Sequence, residues 1–193
     1  MRVVAGTLRG RTLRAPSGAG TRPTSALVRG SLFASLEVRF GERATPTGRA
    51  EMRVLDLYAG SGALGIEALS RGAAQACFVE TERRALVALG ANLHALGLEA
   101  RACVVRQPVV EFLKRPTGES FGLVLADPPY ALGAAHLLPL LTTGAWLGAG
   151  GICAIEHSTR EELPERSGIL DRIWRRVHGA TAISVYAVRP DRG

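Results

Sequence analysis

From residue 52 onward, short apolar runs of strand length alternate with segments whose apolar residues recur at helical spacing. Strands are predicted over residues 52–58, 74–80, 100–105, 121–126 and 150–156. Helices are predicted between them, over residues 63–72, 82–97, 109–114 and 134–142. Because strands that alternate with helices form sheets covered on both faces, the pattern predicts an α/β fold with a doubly wound, mostly parallel sheet.

The C-terminal end of the chain departs from this alternation. Residues 172–188 contain two strand-like runs that meet at His178 and Gly179. A connection this short joins antiparallel strands, so the pattern predicts a C-terminal hairpin. With this hairpin the predicted sheet has seven strands.

The N-terminal end is different again. Residues 2–16 alternate apolar and basic positions, which predicts a small β-hairpin. A helix over about residues 25–38 is predicted next, with Thr24 or Ser25 as its cap. The chain is accordingly divided into a basic N-terminal extension, residues 1–48, and a larger domain, residues 49–193.

The excess of positive charge is concentrated in this extension. The chain has 24 basic and 17 acidic residues, a formal net charge of +7. Its first 36 residues contain six arginines and no acid: Arg2, Arg9, Arg11, Arg14, Arg22 and Arg29. Clustered arginines are what a polyanion requires, so these six are predicted to bind RNA phosphates. The alternative is an arm that only keeps the protein soluble.

Cysteine usage and hydropathy indicate a cytoplasmic protein. Cys77, Cys103 and Cys153 lie far apart in apolar surroundings, which is typical of buried thiols in a reducing compartment. No apolar run reaches the roughly 18 residues that a membrane helix needs. The arginine-rich start does not resemble a signal peptide. We therefore expect no membrane association and no metal site.

The loop between the first strand and first helix of the larger domain contains the sequence "DLYAGSGALG". Gly60, Gly62 and Gly65 form the pattern G-x-G-x-x-G, and Glu80 follows Gly60 by 20 residues at the end of the next strand. This spacing is typical of nucleotide-binding loops at the carboxyl ends of parallel strands. A tight turn that needs small residues is the simpler alternative, and it leaves the placement of Glu80 unexplained.

The charge beside this loop distinguishes between nucleotides. Asp56 stands directly before the loop, where it would repel the pyrophosphate of NAD. S-adenosylmethionine instead has a positive sulfonium and an amino group that pairs with a carboxylate, and its ribose hydroxyls suit Glu80. We therefore predict S-adenosylmethionine as the cofactor and keep NAD as the less favoured alternative.

A second loop follows the strand at 121–126, in the sequence "LVLADPPY". Two prolines stop the strand because neither donates a backbone N–H. Asp127 and the carbonyl of Pro128 can each accept one hydrogen from an amine on a base, and Tyr130 offers a face for stacking. The alternative is a proline-rich turn with a capping aspartate.

Taken in order, five stretches resemble the bacterial 16S rRNA guanine-N2 methyltransferases of the RsmD type: "VVAGTLRGRTLRAP", "RPTSALVRGSLFASL", "VLDLYAGSGALGIEALSRGA", "FVE" and "LVLADPPY". The resemblance covers nearly the whole chain, and its first two stretches are specific to that group. It implies a class I, Rossmann-like methyltransferase fold, S-adenosylmethionine as donor, and one guanine of the small ribosomal subunit as acceptor. We expect a monomer.

The resemblance also implies roles for individual residues. Gly60, Ser61 and Gly62 line the methionine part of the donor, and Glu80 holds its ribose. The family often has a polar residue at the position of Pro108 for the adenine, so Gln107, or alternatively a backbone group, is predicted to serve instead. The predicted donor-binding residues are Asp56, Tyr58, Gly60, Ser61, Gly62, Glu80, Thr81 and Gln107. The predicted catalytic residues are Asp127, Pro128, Pro129 and Tyr130.

Three other functions remain open from the sequence. The first is methylation of a different amine, such as adenine N6 or a glutamine side chain. The second is an RNA-binding assembly factor without catalysis, because Ala26 and Gly30 replace acids that are usual in the family. Glycine inside a helix costs about 1 kcal/mol, so Gly30 is predicted to loosen its helix. The third is an NAD-dependent oxidoreductase.

Overall fold

The computed structural model describes residues 1–16, 26–40, 51–115 and 118–189. Several predictions from the sequence lie outside these residues. They are the cap at Thr24 or Ser25, the RNA contact of Arg22, and the boundary near residue 48. The division of the chain into two parts therefore stays a prediction.

The described residues form five α-helices and eight strands. The helices are α1 (Ala26–Phe40), α2 (Ala63–Ser70), α3 (Arg83–Leu96), α4 (Val109–Leu113) and α5 (Leu137–Thr143). The strands are β1 (Arg53–Leu57), β2 (Gln75–Glu80), β3 (Ala102–Arg106), β4 (Phe121–Ala126), β5 (Leu147–Ser158), β6 (Arg166–Ser167), β7 (Leu170–His178) and β8 (Thr181–Val188). None of these helices is long and apolar enough to cross a bilayer.

All eight strands lie in one sheet, in the order β3-β2-β1-β4-β5-β8-β7-β6. The first five are parallel to one another, and β8, β7 and β6 continue the sheet in antiparallel fashion. The predicted doubly wound sheet and C-terminal hairpin are confirmed. The strand count was one too low, because the two residues of β6 are too few to show any periodicity.

Both faces of the sheet are buried at β1, β2 and β4, which explains the nearly continuous apolar runs of these strands, whereas the edge strand β3 is partly exposed. Consecutive residues of β1 point to opposite faces: Val54 lies in a core with α1, α2, α3 and the N-terminal segment, and Leu55 lies in a core with α4 and α5. Within β4, Leu123 and Val124 divide in the same way. The sheet therefore forms the middle layer of three.

The N-terminal segment, residues 1–16, is less regular than predicted. A single antiparallel bridge joins Arg2 to Thr12 in place of a two-stranded hairpin. Gly6 and Gly10 have φ values of +81° and +83°, so the chain turns twice within a few residues and leaves little room for a ladder. Val3 and Leu13 are buried in the same core as α1 and α2.

A buried carboxylate on α2 holds this segment in place. Glu67 is fully buried, and its two oxygens accept the backbone N–H groups of Val4 at 2.8 Å and Ala5 at 2.9 Å. Arg71 donates to the same carboxylate at 2.9 Å, and Arg29 lies 3.5 Å from it. The N-terminal segment is therefore an ordered part of the core and not a loose arm.

Arg29 was wrongly predicted to bind RNA. Its side chain is fully buried, its guanidinium forms an ion pair with Glu67, and it donates a hydrogen bond to the carbonyl of Arg2. Burial lowers the pKa of Arg29, and the charge of Glu67 partly opposes that effect. The arginine neutralises a buried acid, so it does not reach a ligand at the surface.

Gly30 has a packing role beside this ion pair. A Cβ atom added at Gly30 would lie 3.2 Å from Cγ1 of Val4, so glycine lets α1 approach the N-terminal segment closely. The helix runs unbroken through this position from Ala26 to Phe40. The predicted loosening is therefore not visible as an interruption of the helix.

The expectation of buried thiols is confirmed for Cys77 and Cys153 and is wrong for Cys103. Cys103 is exposed, and it pairs in register with Cys77 on the neighbouring strand. Both residues line a cavity of about 100 Å³ at the amino ends of the strands. All three cysteines are free thiols, and burial raises the pKa of Cys77 to about 12.

We predict that Glu67→Gln lowers the free energy of unfolding by about 3 kcal/mol, because it leaves the Arg29 charge buried without its partner. Urea unfolding at pH 7 measures the change. The matched control is Glu111→Gln, which removes an exposed ion pair with Lys114 at 2.9 Å. The control variant should lose less than about 1 kcal/mol of unfolding free energy. Equal losses in both variants would contradict the role of Glu67.

Candidate active site

The structure brings together residues that end or follow four neighbouring parallel strands, with Tyr58 after β1. Glu80 ends β2, Gln107 follows β3, and Asp127 follows β4. The backbone N–H of Gln107 donates to the carbonyl of Glu80 at 3.2 Å, and that of Asp127 donates to the carbonyl of Leu57 at 3.4 Å. The predicted donor-binding and catalytic residues therefore share one edge of the sheet.

This edge includes the point where the strand order reverses. The strand β1 lies between β2 and β4, so the chain leaves β1 in one direction across the sheet and returns on its other side. Open parallel sheets bind ligands in the crevice at such a point, beyond the carboxyl ends of the strands. The glycine loop follows β1 and the Asp127 loop follows β4, so both lie at this point of the sheet.

Two carboxylates hold the glycine loop from below. Glu80 accepts the N–H of Gly60 at 2.8 Å, and Asp56 accepts the N–H of Gly65 at 2.8 Å. The loop is closed by a bond from the N–H of Gly62 to the carbonyl of Ala59 at 2.7 Å. These contacts fix the backbone between β1 and α2.

The three glycines of the loop serve different purposes. A Cβ at Gly62 would lie 2.4 Å from Leu89, and one at Gly65 would lie 2.3 Å from Phe78, so both positions need glycine for packing. A Cβ at Gly60 would lie 4.0 Å from the carbonyl oxygen of Tyr58 and would meet no closer neighbour among the described residues. Gly60 therefore faces open space, where a ligand can approach the backbone closely.

Tyr58 holds an unusual backbone conformation at the start of this loop. Its φ is +58°, in the left-handed region that non-glycine residues rarely adopt. Its hydroxyl lies 3.4 Å from Nε2 of His136, and burial raises its pKa. Such strain is tolerated where the surrounding structure requires it, and it is common at binding sites.

Asp56 is a buried acid in an unfavourable electrostatic environment. Burial raises the pKa of Asp56 well above its usual range, and the negative charges of Asp127 and Glu80 add to this rise. The hydrogen bond from Gly65 opposes it. Because the carboxylate is buried beneath the loop, its contacts support a role in positioning the loop, and direct contact with a ligand stays a prediction.

Glu80 is held in a fixed orientation by backbone donors. Besides Gly60, its carboxylate accepts the N–H groups of Thr81 at 2.6 Å and Glu82 at 2.8 Å. A carboxylate offers about four acceptor positions, so about one remains available. A ribose that uses both hydroxyls on Glu80 would therefore have to replace one of these backbone contacts.

Asn92 on α3 is a site residue that the sequence did not indicate. Its side-chain amide donates to the carbonyl of Ser61 at 2.9 Å and to that of Arg14 at 3.0 Å. Its oxygen accepts the N–H of Arg14 at 2.7 Å. Asn92 thus joins the glycine loop to the N-terminal segment. The sequence feature that could have indicated Asn92 is its position as a polar residue on the apolar face of a predicted helix.

The Asp127 loop is stiff and presents an aromatic ring. Pro128 is buried, Pro129 is exposed, and a single 3₁₀ turn follows over Tyr130–Leu132. Tyr130 is 48% exposed, so part of its side chain is accessible to a ligand. Its hydroxyl lies 2.6 Å from the hydroxyl of Thr181. Within the described part of the chain, no cluster of His, Cys, Asp and Glu side chains is suited to hold a metal ion.

Comparison with known proteins shows which family this chain belongs to. A family model described as "Conserved hypothetical protein 95" matches residues 1–187. The "Putative rRNA methyltransferase YlbH" of Bacillus subtilis is 37% identical over 98% of this chain and 100% of its own length. The "Ribosomal RNA small subunit methyltransferase D" of Escherichia coli is 34% identical over 85% of this chain and 78% of its own.

A solved structure shows the same similarity in three dimensions. The "Putative methyltransferase yhhF" of Escherichia coli superposes with a TM-score of 0.82, at 32% identity and 98% coverage of both chains. The chain belongs to this methyltransferase family. The predicted resemblance to the RsmD-type enzymes and the predicted methyltransferase fold are thereby confirmed. The roles of individual residues in this methyltransferase stay predictions.

We predict that Asp56→Asn stabilises this methyltransferase at neutral and alkaline pH. A raised pKa means that the carboxyl group binds its proton more tightly in the folded state, so its contribution to stability is largest below about pH 3.9 and falls as pH rises. Asparagine does not ionise, so it removes this fall in stability with rising pH, and its side-chain oxygen can still accept the N–H of Gly65.

Urea unfolding of both proteins at pH 5, 6, 7 and 8 measures the effect. The variant should gain in free energy of unfolding relative to the wild type as pH rises. Asp171→Asn serves as a control, because Asp171 lies on β7 beside Arg166 and far from the glycine loop. A variant that is less stable than the wild type at every pH would contradict the assignment.

Proposed function

We propose that this methyltransferase transfers a methyl group from S-adenosylmethionine to the exocyclic N2 amine of a guanine in 16S rRNA. The observation that supports it most is the placement of Asp127–Tyr130 beside the glycine loop, at the carboxyl ends of β1 and β4. There the glycine loop, which would hold the donor, lies beside the Asp127 loop, which would hold the acceptor base. The backbone N–H of Asp127 donates to the carbonyl of Leu57 at the end of β1. The name of the relative from Escherichia coli supports a small-subunit rRNA substrate.

The charges of the site fit this donor. S-adenosylmethionine supplies an electrophilic methyl group on a positively charged sulfur. Asp56, Glu80 and Asp127 lie close enough for their charges to act on one another, so a cation among them relieves their repulsion. Gly60, Ser61 and Gly62 would line the methionine part, and the open space at Gly60 allows that approach.

The same contacts argue against NAD. A pyrophosphate would need free N–H groups at the start of α2. The N–H of Gly65 is already bonded to Asp56, and two more negative charges would join the three carboxylates. The site therefore favours a cationic nucleotide derivative over a dinucleotide.

The adenosine part of the donor would lie towards β2 and β3. Glu80 is placed for the ribose, Thr81 follows it in the chain, and Gln107 is bonded to the Glu80 carbonyl at 3.2 Å. The side chain of Gln107 is half-buried at this rim. We assign the adenine contact to Gln107, since Pro108 lacks both a backbone donor and a polar side chain.

Asp127 and Pro128 would activate the acceptor amine. The amine of guanine is a weak nucleophile because its lone pair is delocalised into the ring. A carboxylate and a carbonyl that accept its two hydrogens favour the more charged nitrogen of the transition state, and the stiff loop places them in advance. Stacking of the base on Tyr130 adds about 1–3 kcal/mol of binding free energy.

The N-terminal segment would hold the RNA. Arg2, Arg9, Arg11 and Arg14 are exposed on it, and Glu67 and Asn92 fix its backbone. Such fixed cations orient a phosphate backbone relative to the site, in addition to attracting it. We place the protein in the cytoplasm as a monomer that acts on assembling small subunits.

The direct test is transfer of a labelled methyl group from S-adenosylmethionine to small subunits that lack the modification. Free RNA, DNA and protein serve as parallel acceptors, and the labelled nucleoside is identified. We expect N2-methylguanosine from the subunits alone. Labelled N6-methyladenosine would show that the acceptor is the N6 amine of adenine and not the N2 amine of guanine. Binding of the donor without any methyl transfer would favour an RNA-binding assembly factor.

In the same assay, Asp127→Ala should lower kcat by about 10²- to 10³-fold, as expected for loss of one preorganised transition-state contact. Binding of S-adenosylhomocysteine, measured by calorimetry, should change only a few fold. The control is Glu165→Ala, which removes an exposed acid 3.4 Å from Arg172 and distant from the site. Equal losses of donor binding and transfer in Asp127→Ala would show that this residue holds the donor instead.

Removal of Arg9 and Arg14 should flatten the salt dependence of RNA binding. We expect the slope of log K against log salt to fall by about one for each lost phosphate contact in Arg9→Gln/Arg14→Gln. The matched control is Arg115→Gln/Arg166→Gln, which removes two exposed charges away from the N-terminal segment. An equal change of slope in both double variants would contradict a specific RNA surface.

A further inference from the structure

The ring of Tyr130 is tied to a distant part of the chain. Its hydroxyl lies 2.6 Å from the hydroxyl of Thr181, and 51 residues separate the two. Tyr130 belongs to the loop after β4, whereas Thr181 begins β8. The contact therefore links the loop that would hold the acceptor base to the C-terminal hairpin.

The backbone of Tyr130 is already restrained. Pro129 precedes it, and the N–H of Gly133 donates to the carbonyl of Tyr130 at 3.2 Å. What remains variable is the direction of a half-exposed ring, which is set by two side-chain torsions. A hydrogen bond at the far end of the ring restricts both, so the Thr181 contact determines where the aromatic face lies.

Thr181 is itself well placed to act as an anchor. It pairs with His178 across the β7–β8 turn and with Ser158 on β5. The N–H of Thr159 also donates to the carbonyl of Ala180 at 3.0 Å, which holds the turn against the end of β5. The backbone of Thr181 is thus held by the sheet, independently of the Asp127 loop.

We propose that Thr181 is a positioning residue for the acceptor base: its hydroxyl holds the Tyr130 ring as a preformed stacking platform. This inference rests on the proposed function for the identity of the base. A preset ring loses less conformational freedom when a base binds, so the contact increases affinity for the acceptor. It assigns a role in substrate recognition to the C-terminal hairpin.

The kinetic test uses Thr181→Val, which keeps the shape of the side chain and removes the hydroxyl. We expect KM for small subunits to rise about tenfold, in the range of stacking losses, with a smaller change in kcat. Thr181→Ser should restore KM, because serine retains the hydroxyl. Binding of S-adenosylhomocysteine should stay within twofold, since Thr181 contacts the acceptor side of the site.

A double-variant cycle separates positioning from a general structural effect. Tyr130→Phe removes the other hydroxyl, so Tyr130→Phe combined with Thr181→Val should be no worse than either single variant. Thr142→Val is the control, because its hydroxyl bonds to the carbonyl of Pro139 within its own helix. Additive losses, or an unchanged KM in Thr181→Val, would overturn the proposal.

A measurement without substrate keeps the proposal independent of the assigned reaction. The chain has only three tyrosines, so ¹³C relaxation of selectively labelled tyrosine rings can be followed for each. The Tyr130 ring should become more mobile in Thr181→Val and not in Thr181→Ser, and an unchanged ring would overturn the inference. If the wild type transferred no methyl group to any RNA, the proposed function would fail, and this measurement would still decide the role of Thr181.

Discussion

Two hydrogen bonds from backbone N–H groups to carboxylates determine the shape of the active site. The carboxylate of Asp56, near the end of β1, accepts the N–H of Gly65. The carboxylate of Glu80, at the end of β2, accepts the N–H of Gly60. Between these points the chain must turn sharply from strand to helix, and only glycine fits at positions 62 and 65. The surface above Gly60 is left open for a ligand, and its negative surroundings favour a cation.

The same short helix also holds the basic N-terminal segment. Gly65 and Glu67 are two residues apart on α2, yet one is bonded to Asp56 of the site and the other to the N-terminal segment. Asn92 makes a second connection, between Ser61 and Arg14. The basic N-terminal surface and the glycine loop therefore share one rigid support. The position of the proposed RNA contacts relative to the candidate active site depends on that support.

Local patterns predicted most of the fold. Apolar periodicity located each strand of the parallel sheet, and the spacing of Gly60 and Glu80 indicates where a nucleotide would bind, which stays a prediction. Residues whose role depends on distant partners were missed. Arg29 resembled its exposed neighbours in sequence, and only the buried Glu67 explains it. Asn92 and Thr181 likewise act through contacts 31 and 51 residues away along the chain.

The most direct test of the account is a crystal structure with S-adenosylhomocysteine, the product form of the donor. We predict its ribose at Glu80, its methionine part across Gly60, and its sulfur facing Asp127. This arrangement would leave the Tyr130 side of the crevice for a base. Binding at the amino ends of the strands, or a ligand in the crevice with no contact to Glu80 or the glycine loop, would contradict the account.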